Sequence, residues 1–243
     1  MSASDPRSSY DPHLSAIWPD AKAHDKVDSI PTDARGAFFN REKNSHRGIS
    51  SKVGLRGLVA GATNQDFLEE ICQLRDLEYL DLAWPTTAKD FAPLTALTNL
   101  RVLRIDSPRN IPDFTPLLEL PRLETLVIEN AKHLRDLEWL RPLAKRLKVL
   151  GFEGSMYTTQ QVESLTPIAG FDLEALFLTS TKLHDQDLRP LHGMKNLRLL
   201  GTALNAPRAE FEALKKALPN LECSWFNPAA WDGFRDPRKP KKK

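Results

Sequence analysis

Cysteine is nearly missing. Cys72 and Cys223 are the only two in 243 residues, far apart and without a ligand spacing. That excludes a disulfide-stapled scaffold and fits a reducing compartment. No apolar run approaches the roughly 20 residues that cross a bilayer, and Met1 to Tyr10 lacks the apolar core of a secretory signal. The expectation is a soluble cytoplasmic chain that does not engage membranes. A phosphate-cradling glycine loop and a Cys-x-x-Cys pair are also missing. The six histidines, His13, His24, His46, His133, His184 and His192, form no nucleophile, base and orienting group. His184 beside Asp185 and Asp187 has some ligand character, but solvated turn residues explain it better. The sequence therefore predicts no catalytic residue, no metal, no cofactor and no small-molecule substrate: a protein that is not an enzyme. Charge of one sign is scarce too. Net charge is +2, and residues 51–227 hold 21 Lys/Arg against 23 Asp/Glu, so the positive surplus sits in the tail after residue 227.

What the chain has is a repeated phrase. Leu77-Glu78-Tyr79-Leu80-Asp81-Leu82 places leucines at its first, fourth and sixth positions. It recurs from Leu100, Leu123, Leu147, Leu173 and Leu197, with degraded copies from Leu55 and Leu221, at intervals of 22 to 26 residues. A fixed period of this size marks a solenoid, in which each unit buries its apolar face only against its neighbours. After the phrase, Asp90, Asp113, Asp136 and Asp187 stand where a helical turn would start, suited to accept from its free N–H groups. Pro93, Pro116, Pro142 and Pro190 follow closely, where a helical turn forfeits no hydrogen bond.

This stretch resembles the leucine-rich repeat family. The "Asp, apolar, x, Pro, Leu" run, as in Asp90-Phe91-Ala92-Pro93-Leu94, is similar to the internalin-like subtype, also found in a regulatory subunit of type-1 protein phosphatase. The resemblance implies an α/β, right-handed horseshoe solenoid of about eight repeats, with a parallel concave sheet and capped ends. One departure is plain. The family's Asn after the third leucine is replaced by Thr63, Pro85, Pro108, Ala131, Ser155 and Thr181, and only Asn205 fits. The turns must satisfy their backbone groups by other means.

Three segments are expected: an irregular N-terminal segment and cap over 1–50, the repeats over 51–227, and a cap remnant with a basic tail over 228–243. The first thirty residues read as loop, and Ala37-Phe38-Phe39 with Ile49 as a cover for the first repeat. Thr158 to Leu165 and Ala209 to Leu218 both read as helices, so the outer wall should turn helical toward the C-terminus. Trp225, Phe226, Trp231 and Phe234 would seal the far end. Arg238-Lys239-Pro240-Lys241-Lys242-Lys243 is an unfolded basic run.

Aligning the phrases gives outward columns on the concave sheet. Val102, Val127, Val149, Phe177 and Leu199 would form an apolar patch wetted by solvent, with Tyr79 in a side column of the same face and Gly151 and Gly201 as notches for a partner's side chain. Asp106, Glu129 and Glu153 would stack in one row, with Asp81, Arg104 and Trp225 in the middle column. Like charges opposite one another destabilise a sheet, so the row makes better sense if a cation arrives. These residues form the expected site for a protein partner carrying a basic and apolar segment, which a monomeric chain would bind. The internalin-like resemblance implies that binding regulates or neutralises that partner. The alternative is a nucleic-acid-associated protein using the Lys-rich tail; an acidic concave face repels phosphates, which counts against it.

Overall fold

A computed structural model describes residues 23–232. The Lys-rich tail and the first 22 residues, with the roles considered for them, lie outside the described residues. In chain order the strands are β1 (Ala23–His24), β2 (Gly36–Asn40), β3 (Gly57–Gly61), β4 (Tyr79–Ala83), β5 (Val102–Asp106), β6 (Thr125–Glu129) and β7 (Val149–Glu153). There follow β8 (Gln160–Val162), β9 (Ala175–Leu178), β10 (Thr181–Leu183) and β11 (Leu199–Thr202). Among the described residues, β1 to β7, β9 and β11 form one nine-stranded sheet in sequence order, and β8 pairs with β10 in a second. Every pairing is parallel.

The register follows the leucines. Leu58, Leu80, Leu103, Leu126, Leu150, Leu176 and Leu200 are consecutive partners across the sheet, and all lie in the core. Period-2 alternation sends this column and its neighbour two residues on inward. Full burial of one such side chain stabilises by about 1.5–3 kcal/mol, so a slip by one residue, turning every leucine outward, is heavily penalised.

The repeats begin earlier than the leucines indicate. Ala37 pairs with Leu58 and Phe39 with Ala60, so Ala34, Ala37 and Phe39 occupy the first, fourth and sixth places of a further unit. The irregular segment expected before residue 50 is thus, from Gly36 on, a solenoid repeat with alanine and phenylalanine in place of leucine. Ala23–His24 and the 3-10 turn Val27–Ser29 likewise replace part of the expected loop. Phe39 meets Phe67 edge-on at 5.6 Å. His46, wholly buried, places its Nε2 3.0 Å from the Asp66 carboxylate.

The outer wall also differs from expectation. Helices occur near both ends: α1 (Gln65–Ile71), capped by Asn64 Oδ1 accepting from Phe67 N, and α2 (Arg208–Ala217), which buries Phe211 and Leu214. Between them run short 3-10 turns, among them Ala92–Ala96, Thr115–Glu119, Glu138–Leu143 and Arg189–Leu191. Their Asp residues cap as expected. Asp90, Asp113, Asp136 and Asp187 each accept from the N–H two residues on, at 2.8–3.0 Å.

The segment expected as a helix from Thr158 to Leu165 is instead non-helical, with strand β8 (Gln160–Val162) at its centre. Its Gln160 side chain is an anchor: Oε1 accepts from Ala131 N at 2.9 Å, and Nε2 donates to Ala131 O and Leu134 O. A helix there would withdraw that amide from the preceding turn. Gly154 holds the crossing, since a Cβ would lie 2.2 Å from Ser180 O and 2.3 Å from Thr158 O. Gln160 also helps answer how the turns do without the Asn ladder. Thr63 Oγ1 donates to Ala60 O, Thr86 Oγ1 to Leu82 O and Thr181 Oγ1 to Phe152 O. Asn205 bonds both Leu183 N and Leu178 O. Short hydroxyls and one long amide perform the task of a repeated asparagine.

At the far end the sheet stops at β11. The last leucine phrase retains only the bridge between Leu199 and Glu222, and Ser224–Phe226 is a 3-10 turn. Trp225 and Trp231 lie 5.2 Å apart and both pack on Phe211. Each indole donates to a backbone carbonyl, Thr202 O and Trp225 O respectively. The helix α3 (Pro228–Asp232) carries Trp231 into this cluster.

Candidate functional site

The outward residues of β3 to β11 have two different environments. Tyr79, Val102, Val127, Val149 and Phe177 were expected to be wetted, yet their relative exposures are 1%, 2%, 1%, 3% and 2%. They are nevertheless not part of the interior. Tyr79 and Val102 cluster with Val59, while Val149, Ala175 and Phe177 cluster with Leu199; both groups are separate from the leucine core. Lateral packing is one physical reason for the burial. A Cβ on Gly201 would lie 2.8 Å from Phe177 Cδ1, and one on Gly151 would lie 3.0 Å from Val127 Cγ1. The glycine notches expected to admit a partner's side chain are occupied by the chain's own Phe177 and Val127. Leu199 alone of the apolar column stays partly exposed. Trp225 belongs to the terminal cap, not to a strand of the sheet.

The charged residues behave otherwise. Asp106 pairs in register with Glu129, and Glu129 with Glu153, so their strands lie about 4.8 Å apart. The row is held by the chain itself, through partners outside its own column. Asp106 Oδ1 accepts from Ser107 Oγ at 2.8 Å and Asn130 Nδ2 at 3.0 Å. Glu129 accepts from Arg104 Nη2 at 3.2 Å, and Glu153 accepts from Thr179 Oγ1. Arg104 also stands 3.6 Å from Asp81. Burial works against its charge, but Asp81, then Tyr79 and Glu129, outweigh that and raise its pKa. Asp81, Asp106 and Glu129 remain partly exposed, whereas Glu153 is buried. Four carboxylates, three of them partly exposed, therefore share β4 to β7 with one guanidinium, so acidic groups outnumber basic ones on that face.

Neither thiol is primed for chemistry. Burial pushes Cys72 up to about 12, only partly offset by Arg75, and burial raises Cys223 as well. A thiol that stays protonated at neutral pH is a poor nucleophile. Among the described residues no group of three or more His, Cys, Asp or Glu is placed to hold a metal ion, and no helix is long and apolar enough to cross a membrane.

No family model and no curated protein matches the sequence. Solved structures do. An internalin (inlF) from Listeria monocytogenes matches with a TM-score of 0.55 at 20% identity, over 79% of this chain and 54% of its own. A leucine-rich repeat protein from Leptospira interrogans matches with a TM-score of 0.52 at 20% identity, over 83% of this chain and 57% of its own. The chain has the leucine-rich repeat fold. It spans little more than half the length of these two structures.

This leucine-rich repeat body has a second concavity that the leucine phrase does not mark. A cleft of about 930 Å³ runs along the rim where the chain leaves β4 to β7, lined by Trp84, Arg109, Asn130, Lys132, His133 and Tyr157 among others. Ser107 and Asn130, with φ of 54° and 56°, turn the backbone off the sheet there in the left-handed region. The signal that could have revealed it is a large apolar residue amid polar loop neighbours, as at Trp84 and at Met156-Tyr157.

Proposed function

We propose that this chain is a non-enzymatic protein-interaction module that binds a basic segment of a protein partner on the acidic part of its concave face, and that binding regulates or neutralises the partner. The observation that carries the reading is the surplus of carboxylates over β4 to β7, where Asp81, Asp106, Glu129 and Glu153 face one guanidinium, on strands held in register by the leucine core. Complementary charge steers encounter and selects among partners. Because Asp106, Glu129 and Arg104 are already oriented by hydrogen bonds within the chain, little side-chain freedom is lost on binding. The apolar patch becomes the support under these charges in place of a contact surface.

The test is fluorescence anisotropy with a labelled Lys/Arg-rich dodecapeptide and a Glu-rich control. The reading expects preference for the basic peptide, weakening with salt over the Debye range. An Asp106→Asn, Glu129→Gln double variant should lose affinity by roughly tenfold while keeping the wild-type far-ultraviolet circular dichroism spectrum. Equal binding of both peptides, or unaltered affinity in the double variant, refutes it.

A further inference from the structure

We infer that the rim cleft is a second interaction site, shaped for an acidic peptide segment that carries an aromatic or aliphatic side chain. It borders the concave face at Asp106, but the features that mark it belong to the rim loops. The first is apolar exposure. The large hydrophobic residues most exposed among the described ones are Val53, Trp84, Met156 and Tyr157, at 69%, 62%, 89% and 88%. Three of these four gather on this one rim, and Trp84 and Tyr157 both line the cleft. They follow strands β4 and β7, three strand spacings apart, or roughly 14 Å. That separation suits three or four residues of extended chain at about 3.4 Å each. Exposed aromatics that flank a cleft signal binding where scattered ones do not.

The second feature is charge. Arg109 and Lys132 sit three residues beyond the register partners Asp106 and Glu129, hence at equivalent places of adjacent repeats, and both are exposed. Among the described residues neither joins an ion pair. His133 stands beside Lys132 on the same lip. Asp106, the acid lining the cleft, is tied by Ser107 and Asn130. Two exposed cations that join no ion pair among the described residues, at one repeat spacing, complement two carboxylates on an extended peptide. A volume of about 930 Å³ lies within the range of roughly 300–1,000 Å³ typical of ligand sites, enough for one large side chain between the aromatics.

The experiment is anisotropy of the full chain with fluorescein-labelled Glu-Glu-Phe-Glu-Glu-Leu-Glu-Glu, beside the same peptide with Lys replacing every Glu, oligothymidylate and a neutral hexasaccharide. The acidic peptide should bind and the other three should not compete. Arg109→Glu with Lys132→Glu should weaken binding about tenfold or more, and Trp84→Ala or Tyr157→Ala about fivefold each. Glu129→Gln, on the concave face, should leave it unchanged. Since all four residues are exposed, the variants should keep the wild-type urea midpoint, which separates lost contact from lost fold. No preference for the acidic peptide, indifference to charge reversal, or competition by oligothymidylate or the hexasaccharide each overturns the assignment.

Discussion

Replacing Phe177 by alanine distinguishes a buried supporting patch from a free docking surface. On an exposed face such a change stays within about 0.5 kcal/mol. Phe177, however, is 2% exposed and packs with Val149, Ala175 and Leu199, so the cost should be that of a core phenylalanine, about 3–5 kcal/mol. Gly201 supplies the second leg of the argument. A methyl there would stand 2.8 Å from the Phe177 ring, and such overpacking costs about 1–3 kcal/mol. With Phe177 already truncated the same methyl meets no ring, so Gly201→Ala should become nearly neutral. The double-mutant cycle should therefore show a coupling of at least about 1 kcal/mol. Urea unfolding followed by far-ultraviolet circular dichroism measures all four proteins. Additive effects, or a Phe177→Ala cost below about 1 kcal/mol, would refute the packing and restore Phe177 to the solvent-facing surface.

Three further outcomes follow from the same geometry. Gln160→Ala should cost about 2–4 kcal/mol by orphaning Ala131 and Leu134 backbone groups, read as a lower urea midpoint; a loss under 0.5 kcal/mol would remove Gln160 from its anchoring role. Cys72, with its thiol pushed up to about 12, should resist a thiol reagent at pH 8 until urea unfolds the chain; native labelling would contradict its burial. Asp113 and Asp187 are held below the ordinary carboxylate range, by the Thr115 N–H and by Arg189 respectively. The folded chain then binds fewer protons than the unfolded one as pH falls, so their stabilisation is complete above about pH 4 and is lost through the lowered folded values. Asp113→Asn should shallow that acid loss in thermal melts between pH 2 and 5, and an unchanged slope would count against the cap.

The fold was largely legible because leucine at three places of every unit is a geometric statement: those side chains share one interior, and their spacing sets the strand register. Where a repeat dispenses with leucine the statement goes silent. Ala34, Ala37 and Phe39 perform the same function with other apolar residues, and only the pairing with β3 reveals it. Thr158 to Leu165 misled because a cap-like Thr pair preceded a mixed polar stretch, while the deciding contact, Gln160 to a turn 29 residues earlier, is nonlocal. The site was legible in position and not in environment. Alternation placed Val127, Glu129 and Phe177 on the concave side, but whether such a residue is wetted depends on neighbours one repeat away. The glycines at 151 and 201 are plain in the sequence, and the side chains that fill their notches are not. The rim cleft is assembled from loops of four repeats, whose lengths the sequence gives and whose convergence it does not.

Backbone hydrogen exchange of the full chain, with and without the Lys/Arg-rich dodecapeptide, tests the central claim most directly. Added protection should concentrate on β5 to β7 around Asp106, Glu129 and Glu153, and should vanish in the Asp106→Asn, Glu129→Gln variant. Protection confined to the rim loops near Trp84 and Tyr157, or absent throughout, would contradict recognition by the acidic concave face.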